Sequence, residues 1–259
     1  MKKFLVLLFV VSLFMMTACS KSSSPTGTIP EFPVTFKSAA IEDAVRSEIG
    51  KPSGTLYQSD VDGITSLYIS GETIEDPSGI EFLTNLETLS ICGSGSDLRD
   101  VTPISRLKNL QSLYLGQNYN LENLESLADC PKLTFLRLNR CGLTNVKFLR
   151  NFRNLTTLEI KANPLESLDG VQGLTKLESI YFGECDNDTK VKDLSPLRNL
   201  TNLANVYAGY NEISDISVLL TMPQMMNGNG DICLSDNPLN DEAYKIIEIL
   251  EAKGTDVDY

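Results

Sequence analysis

Apolar residues recur along most of this chain in one arrangement, L-x-x-L-x-L-x-x-(N/C), whose first positions are Ile64, Leu86, Leu110, Leu133, Leu155, Leu177, Leu203 and Met225. The intervals are 22, 24, 23, 22, 22, 26 and 22 residues. A fixed period of this size marks stacked structural repeats, the surplus residues being loop insertions near Ser94 to Asp97, Tyr119, Asp186 to Lys190 and Gly228 to Asp231. Alternation within each copy predicts a short strand whose leucines point inward and whose intervening residues point out. The ninth position, Glu72, Ser94, Asn118, Cys141, Asn163, Cys185, Asn211 and Asn237, is expected to turn inward and bond backbone groups left open where the chain bends. Four residues later, allowing for insertions, stand Asp76, Asp100, Asn123, Asn145, Ser167, Asp193, Asp215 and Asp241, all able to cap a first helical turn. A short helical or 3₁₀ turn is therefore predicted after every strand.

Both ends depart from the repeat. Phe36, Ala40, Ile41, Ala44, Val45 and Ile49 recur at helical spacing and stop at Gly50, and Ala243, Ile246, Ile247 and Leu250 share one face of a helix predicted over 241–253, with Gly254 as its stop. Terminal repeats expose apolar edges, so helical caps are expected there. The domain reading is a leader over 1–18, a tether over 19–33, an N-terminal cap over 34–63, repeats over 64–240 and a C-terminal cap over 241–259.

The leader, MKKFLVLLFVVSLFMMTACS, places Lys2 and Lys3 before an apolar run from Phe4 to Met16. That run is too short to span a bilayer of about 30 Å as a stable helix and reads as a secretory signal. Its Thr17-Ala18-Cys19 end resembles a bacterial lipobox, which implies cleavage before Cys19 and lipid on its sulfur, although Met16 replaces the usual leucine. The polar stretch after Cys19 is expected to be a flexible tether.

The formal charge is −12 and becomes −14 without Lys2 and Lys3. So acidic a surface repels phosphate backbones, and nucleic acid is not an expected partner. With no histidine in the chain, Ser-His-Asp triads, Cys-His dyads and His-bearing zinc sites cannot be built. Asn227 to Asp231 and Asp186 to Asp188 alternate oxygen ligands, but neither continues to a glutamate at the twelfth position of a calcium loop. No cofactor, metal or catalytic residue is expected. Cysteines 92, 130, 141, 185 and 233 are scattered, and the two ladder thiols Cys141 and Cys185 lie two repeats apart, about 9.6 Å at strand spacing and too far for a disulfide.

In this register the chain resembles the internalin-like leucine-rich-repeat proteins of bacterial surfaces. The resemblance rests on the period, on KDLSPLRNLTNL from Lys192 to Leu203, on LSDNPL from Leu234 to Leu239 followed by a helix and a strand containing Val257, and on the Ile41 to Arg46 helix before Gly50 to Gly54. It implies an α/β repeat fold: a solenoid of about eight 22-residue repeats with a concave parallel β-sheet, a convex side of short 3₁₀ or irregular turns, and helical caps. It also implies binding rather than catalysis; the lipobox places that module on an extracytoplasmic, lipid-anchored chain, which is expected to be monomeric.

The binding face follows from the strand alternation. Its central outward column is Tyr68, Ser90, Tyr114, Arg137, Glu159, Tyr181, Tyr207 and Cys233, flanked by Phe135, Arg140, Lys161, Glu184 and Tyr210. Aromatics on strands also serve packing alone. A charged centre between aromatic ends nevertheless suits a protein ligand, or a glycan, laid across repeats three to six. The alternative is a structural or envelope-assembly lipoprotein with no ligand on this face.

Overall fold

A computed structural model describes residues 31–93, 98–183 and 189–259. The expected signal, Cys19 and most of the tether lie outside the described residues, as do Ser94, Glu184, Cys185 and the Asp186 to Asp188 stretch. The chain from Phe32 to Tyr259 is one unit. It opens with β1 (Pro33–Val34), α1 (Ala39–Ile49), β2 (Leu56–Tyr57) and α2 (Gln58–Val61), β1 and β2 forming a small antiparallel pair. Helix α1 buries Ile41 and Val45 and ends at Gly50, whose left-handed backbone (φ 65°) closes the last turn.

The repeats then supply β3 (Ser66–Ser70), β4 (Thr88–Cys92), β5 (Ser112–Tyr114), β6 (Phe135–Arg137), β7 (Thr157–Glu159), β8 (Ser179–Tyr181) and β9 (Asn205–Tyr207). After α3 (Pro223–Met226) come β10 (Asp231–Cys233), α4 (Asp241–Ala252) and β11 (Asp256–Asp258). Strands β3 to β11 form one parallel sheet in sequence order. It has nine strands rather than about eight, because the strand holding Val257 pairs in parallel with β10 after the terminal helix. The fold is a leucine-rich-repeat solenoid, with 3₁₀ turns opposite the strands at Ile80–Phe82, Ile104–Arg106, Leu124–Asp129, Lys147–Asn151, Val171–Gly173, Ser195–Leu197 and Ser217–Thr221. Consensus leucines such as Leu113, Leu136 and Leu158 are fully buried, each worth roughly 1.5–3 kcal/mol.

Each central strand is short because the chain bends straight after it. Leu115, Leu138 and Ile160 still donate across to the next repeat, and two residues later Gln117, Arg140 and Ala162 hold left-handed backbones. Tyr210 and Asp236 do the same, with φ between 53° and 66° across the five. The next residue is the inward ladder position. Asn163 donates to the carbonyls of Leu138 and Ile160 at 2.8 Å and accepts from the amides of Cys141 and Leu143 at 2.9 and 3.0 Å. Asn211 and Asn237 make comparable bonds, whereas Asn118 donates to the Ile91 and Leu115 carbonyls but its buried Oδ1 has no partner among the described residues. Cys141 takes the same place with a thiol, whose S–H donates to the Leu115 carbonyl, and burial pushes that thiol up to about 12. Glu72 does not follow: it is exposed. A carboxylate has no hydrogen to offer the open carbonyls, and burying its charge unpaired is expensive.

The expected capping column works differently from a helix cap. Asp76, Asp100, Asn145, Ser167, Asp193 and Asp215 each accept the amide two residues on, closing a side-chain turn that steers the backbone into the 3₁₀ segment. Asn123 instead sits in a left-handed bend and donates to Asp100, and α4 is capped by Asn240, not by Asp241. A second asparagine row was not foreseen. Asn85, Asn109, Asn154 and Asn202, each just before a repeat's first leucine, donate to carbonyls of Asp62 in the N-terminal cap and of Thr84, Pro131 and Thr175 in the preceding repeat.

Candidate functional site

The sheet aligns the outward column by its pairing: Tyr68 beside Ser90, then Tyr114, Arg137, Glu159, Tyr181, Tyr207 and Cys233. Neighbouring side chains on one face of a sheet interact, and here they form two groups. In the first, the Tyr114 and Phe135 rings lie 4.8 Å apart, and the Arg137 guanidinium sits over both at 5.1 and 5.7 Å from the ring centroids. Arg137 reaches the next strand and grips Glu159 with Nε to Oε2 at 2.6 Å and Nη2 to Oε1 at 2.9 Å. That bidentate carboxylate bond, more than any other contact, raises the Arg137 pKa above its ordinary value. In the second group Tyr181 and Tyr207 stack with parallel rings 4.5 Å apart. The Tyr207 hydroxyl donates to the Asp231 carboxylate, which is the main reason its pKa is pushed up to about 12, burial adding to it.

The charged centre is thus organised before any ligand arrives. Glu159, only 9% exposed, is held by Arg137 and by Asn139 Nδ2 at 3.3 Å, so it buttresses Arg137 more than it presents charge. Asn139 also accepts the Lys161 amide at 2.8 Å and fixes the backbone from which that lysine projects. Arg137, Asn139, Arg140, Glu159 and Lys161 line an open cavity of about 500 Å³ together with Cys92, Gly116 and Gln117. Of these, Asn139, Gly116 and Gln117 escaped the sequence reading. Asn139 had a signal, since it occupies the outward position two residues beyond Arg137.

Not every anticipated residue joins these groups. Tyr68 stands alone on β3, 68% exposed, and faces instead a 710 Å³ hollow between α1 and the first repeat, bordered by Lys37, Asp43 and Glu72. Tyr210 leaves the sheet at the left-handed bend beyond β9. Glycine spacing in the loop from Asn227 to Asp231 has a packing cause: a Cβ on Gly228 would lie 2.1 Å from the Lys253 carbonyl oxygen. The described thiols of Cys92, Cys130, Cys141 and Cys233 are free, and Cys130, pushed up to about 11 by burial, bonds the Ile104 carbonyl.

No protein-family model and no curated protein matches the chain. Solved structures do. Internalin C2 from Listeria monocytogenes is similar with a TM-score of 0.70 at 28% identity, over 86% of this chain and 92% of that one. An internalin (inlF) from the same organism gives 0.68 at 26% identity, over 81% and 67%. The plant peptide hormone receptor RGFR1, in complex with RGF2, shares the fold with a TM-score of 0.52 at 21% identity, over 69% of this chain and 29% of the receptor's. The architecture is internalin-like.

Proposed function

We propose that this chain is a lipid-anchored extracytoplasmic binding module that recognises a protein ligand on its concave face and performs no catalysis. The observation that carries this reading is the pre-arranged outward column: two aromatic pairs, Tyr114 with Phe135 and Tyr181 with Tyr207, on either side of the Arg137–Glu159 pair. Paired rings and a held guanidinium lose little freedom on docking, so contact area there translates well into affinity. Arg140, Lys161 and Tyr210 extend the surface along one margin, and Tyr68 extends it to the first repeat. A likeness in fold to a receptor solved with its peptide hormone supports the same use of the scaffold, while the ligand itself is a matter for the exposed positions. With the leader over 1–18 removed, lipid on Cys19 and the tether over 19–33 would hold this face clear of a membrane.

The test is a screen of extracellular protein and glycan arrays with the purified chain. Against the ligand found, Tyr114→Ala/Tyr181→Ala is expected to weaken binding at least tenfold, about 1.4 kcal/mol, with little loss of stability. Unchanged affinity, or a footprint on the convex side, overturns the reading, and an array without a ligand favours the envelope-spacer alternative. For the anchor, Cys19→Ala in a bacterial host is expected to release protein from the membrane fraction. Retention at wild-type mass overturns it.

A further inference from the structure

Charge along the chain is segregated. Residues 132 to 176 contain eight Lys or Arg and three Asp or Glu, a surplus of five positive charges, so the rest of a chain whose total is −12 carries −17. On the sheet face this segment is β6 and β7 with the bends that follow them. The outward residues of β3 to β5 are uncharged, whereas Asp231, Asp256 and Asp258 face out from β10 and β11. Arg137, Arg140 and Lys161 line the 500 Å³ cavity on β6 and β7, where Glu159 is the one carboxylate among the described lining residues and both of its oxygens are already held. Arg137 spends Nε and Nη2 on it and keeps Nη1 for another acceptor. Among the described residues Lys161 has no carboxylate partner, although five ion pairs besides Arg137–Glu159 join lysines and arginines to carboxylates there.

We infer that this cavity takes a compact acidic group, one or two adjacent Asp or Glu side chains of the protein partner. The inference rests on the concave-face reading and names the chemistry at its centre. The range of the field selects the group. The cavity of about 500 Å³ has room for one or two carboxylate side chains, and at physiological salt charges act over about 8 Å, so cations on neighbouring strands about 4.8 Å apart act together. An extended polyanion lying along the sheet would also cross β10, four strand steps or about 19 Å from β6, and meet the aspartates there. The acidic flank therefore screens out sulfated chains and nucleic acids that the cations alone would attract.

Zero-length cross-linking tests this, because a carbodiimide joins a carboxylate to a lysine only where the two are in contact. The full chain, in neutral detergent, is incubated with the peptide acetyl-GSEESG-amide and its adducts are mapped by mass spectrometry. Lys161 is expected to carry at least ten times the adduct of Lys132 or Lys147, although both of those are more exposed. Arg140→Glu is expected to cut the Lys161 adduct at least fivefold and leave Lys147 unchanged, and heparin is expected not to displace the peptide. Adducts distributed by exposure, or displacement by heparin, overturn the assignment. If a ligand from the arrays depends on Tyr114 and Tyr181 while Lys161 shows no preference, the concave face remains the binding face and only the acidic-group assignment falls.

Discussion

Repeats one and five put different residues at one place in the same scaffold. In repeat five Asn163 is fully buried and satisfies two carbonyls and two amides of its own and the preceding repeat; in repeat one the corresponding Glu72 lies in solvent. What separates them is hydrogen-bonding capacity rather than polarity. The bend exposes carbonyls that need a donor and amides that need an acceptor, and the asparagine amide meets both with two N–H donors beside one carbonyl oxygen. A thiol supplies the donor half, and Cys141 shows that this is enough where the neighbouring Asn163 already accepts the Cys141 amide. The first repeat has no repeat before it, only α1 and α2, so the demand for a two-sided residue is smaller there.

The contrast can be broken by substitution. The largest effect is expected inside the central repeats: Leu136→Ala or Leu158→Ala removes a fully buried side chain and is expected to cost about 2–5 kcal/mol in denaturant unfolding. A cost below about 0.5 kcal/mol at both sites would contradict the register. Asn163→Ala is expected to follow at about 2–4 kcal/mol, because several buried backbone groups lose their partner together, and Asn163→Cys is expected to recover part of that loss. If Ala and Cys are equivalent in unfolding experiments, the donor explanation of Cys141 fails. Smallest of all, Glu72→Asn is expected to change stability by no more than about 0.5 kcal/mol, as an exposed site should. A cost as large as that at residue 163 would mean that position 72 belongs to the ladder after all.

Much of the fold was legible because a solenoid writes each structural demand once per repeat. The phases of Leu133, Leu155 and Leu177 gave inward and outward residues directly, and the outward column followed by alternation. Less legible was anything that depends on which repeats touch. The row of Asn85, Asn109, Asn154 and Asn202 is present in the sequence as Asn-Leu at the head of four repeats, but its bonds run to carbonyls 23 to 27 residues back. At the site, strand alternation presents Arg137 and Glu159 as two outward groups, yet residues 22 apart are side by side on adjacent strands and opposite charges there bind each other first. The side-chain turns of Asp100 and Asp215 looked like helix caps because the same short oxygen-bearing residues serve both purposes.

The five left-handed bends have a consequence for how such a molecule changes its partner. Gln117, Arg140, Ala162, Tyr210 and Asp236 share one backbone state, so the chain accepts an amide, a guanidinium, a methyl, a phenol or a carboxylate there without altering its course. Each pays a penalty of roughly 1–2 kcal/mol that glycine would avoid, nearly independent of which side chain it is. The row behaves like a rack of interchangeable pegs about 4.8 Å apart along the margin of the sheet, with twice that step between Ala162 and Tyr210. A new specificity can be written there one peg at a time, with the rack itself left standing.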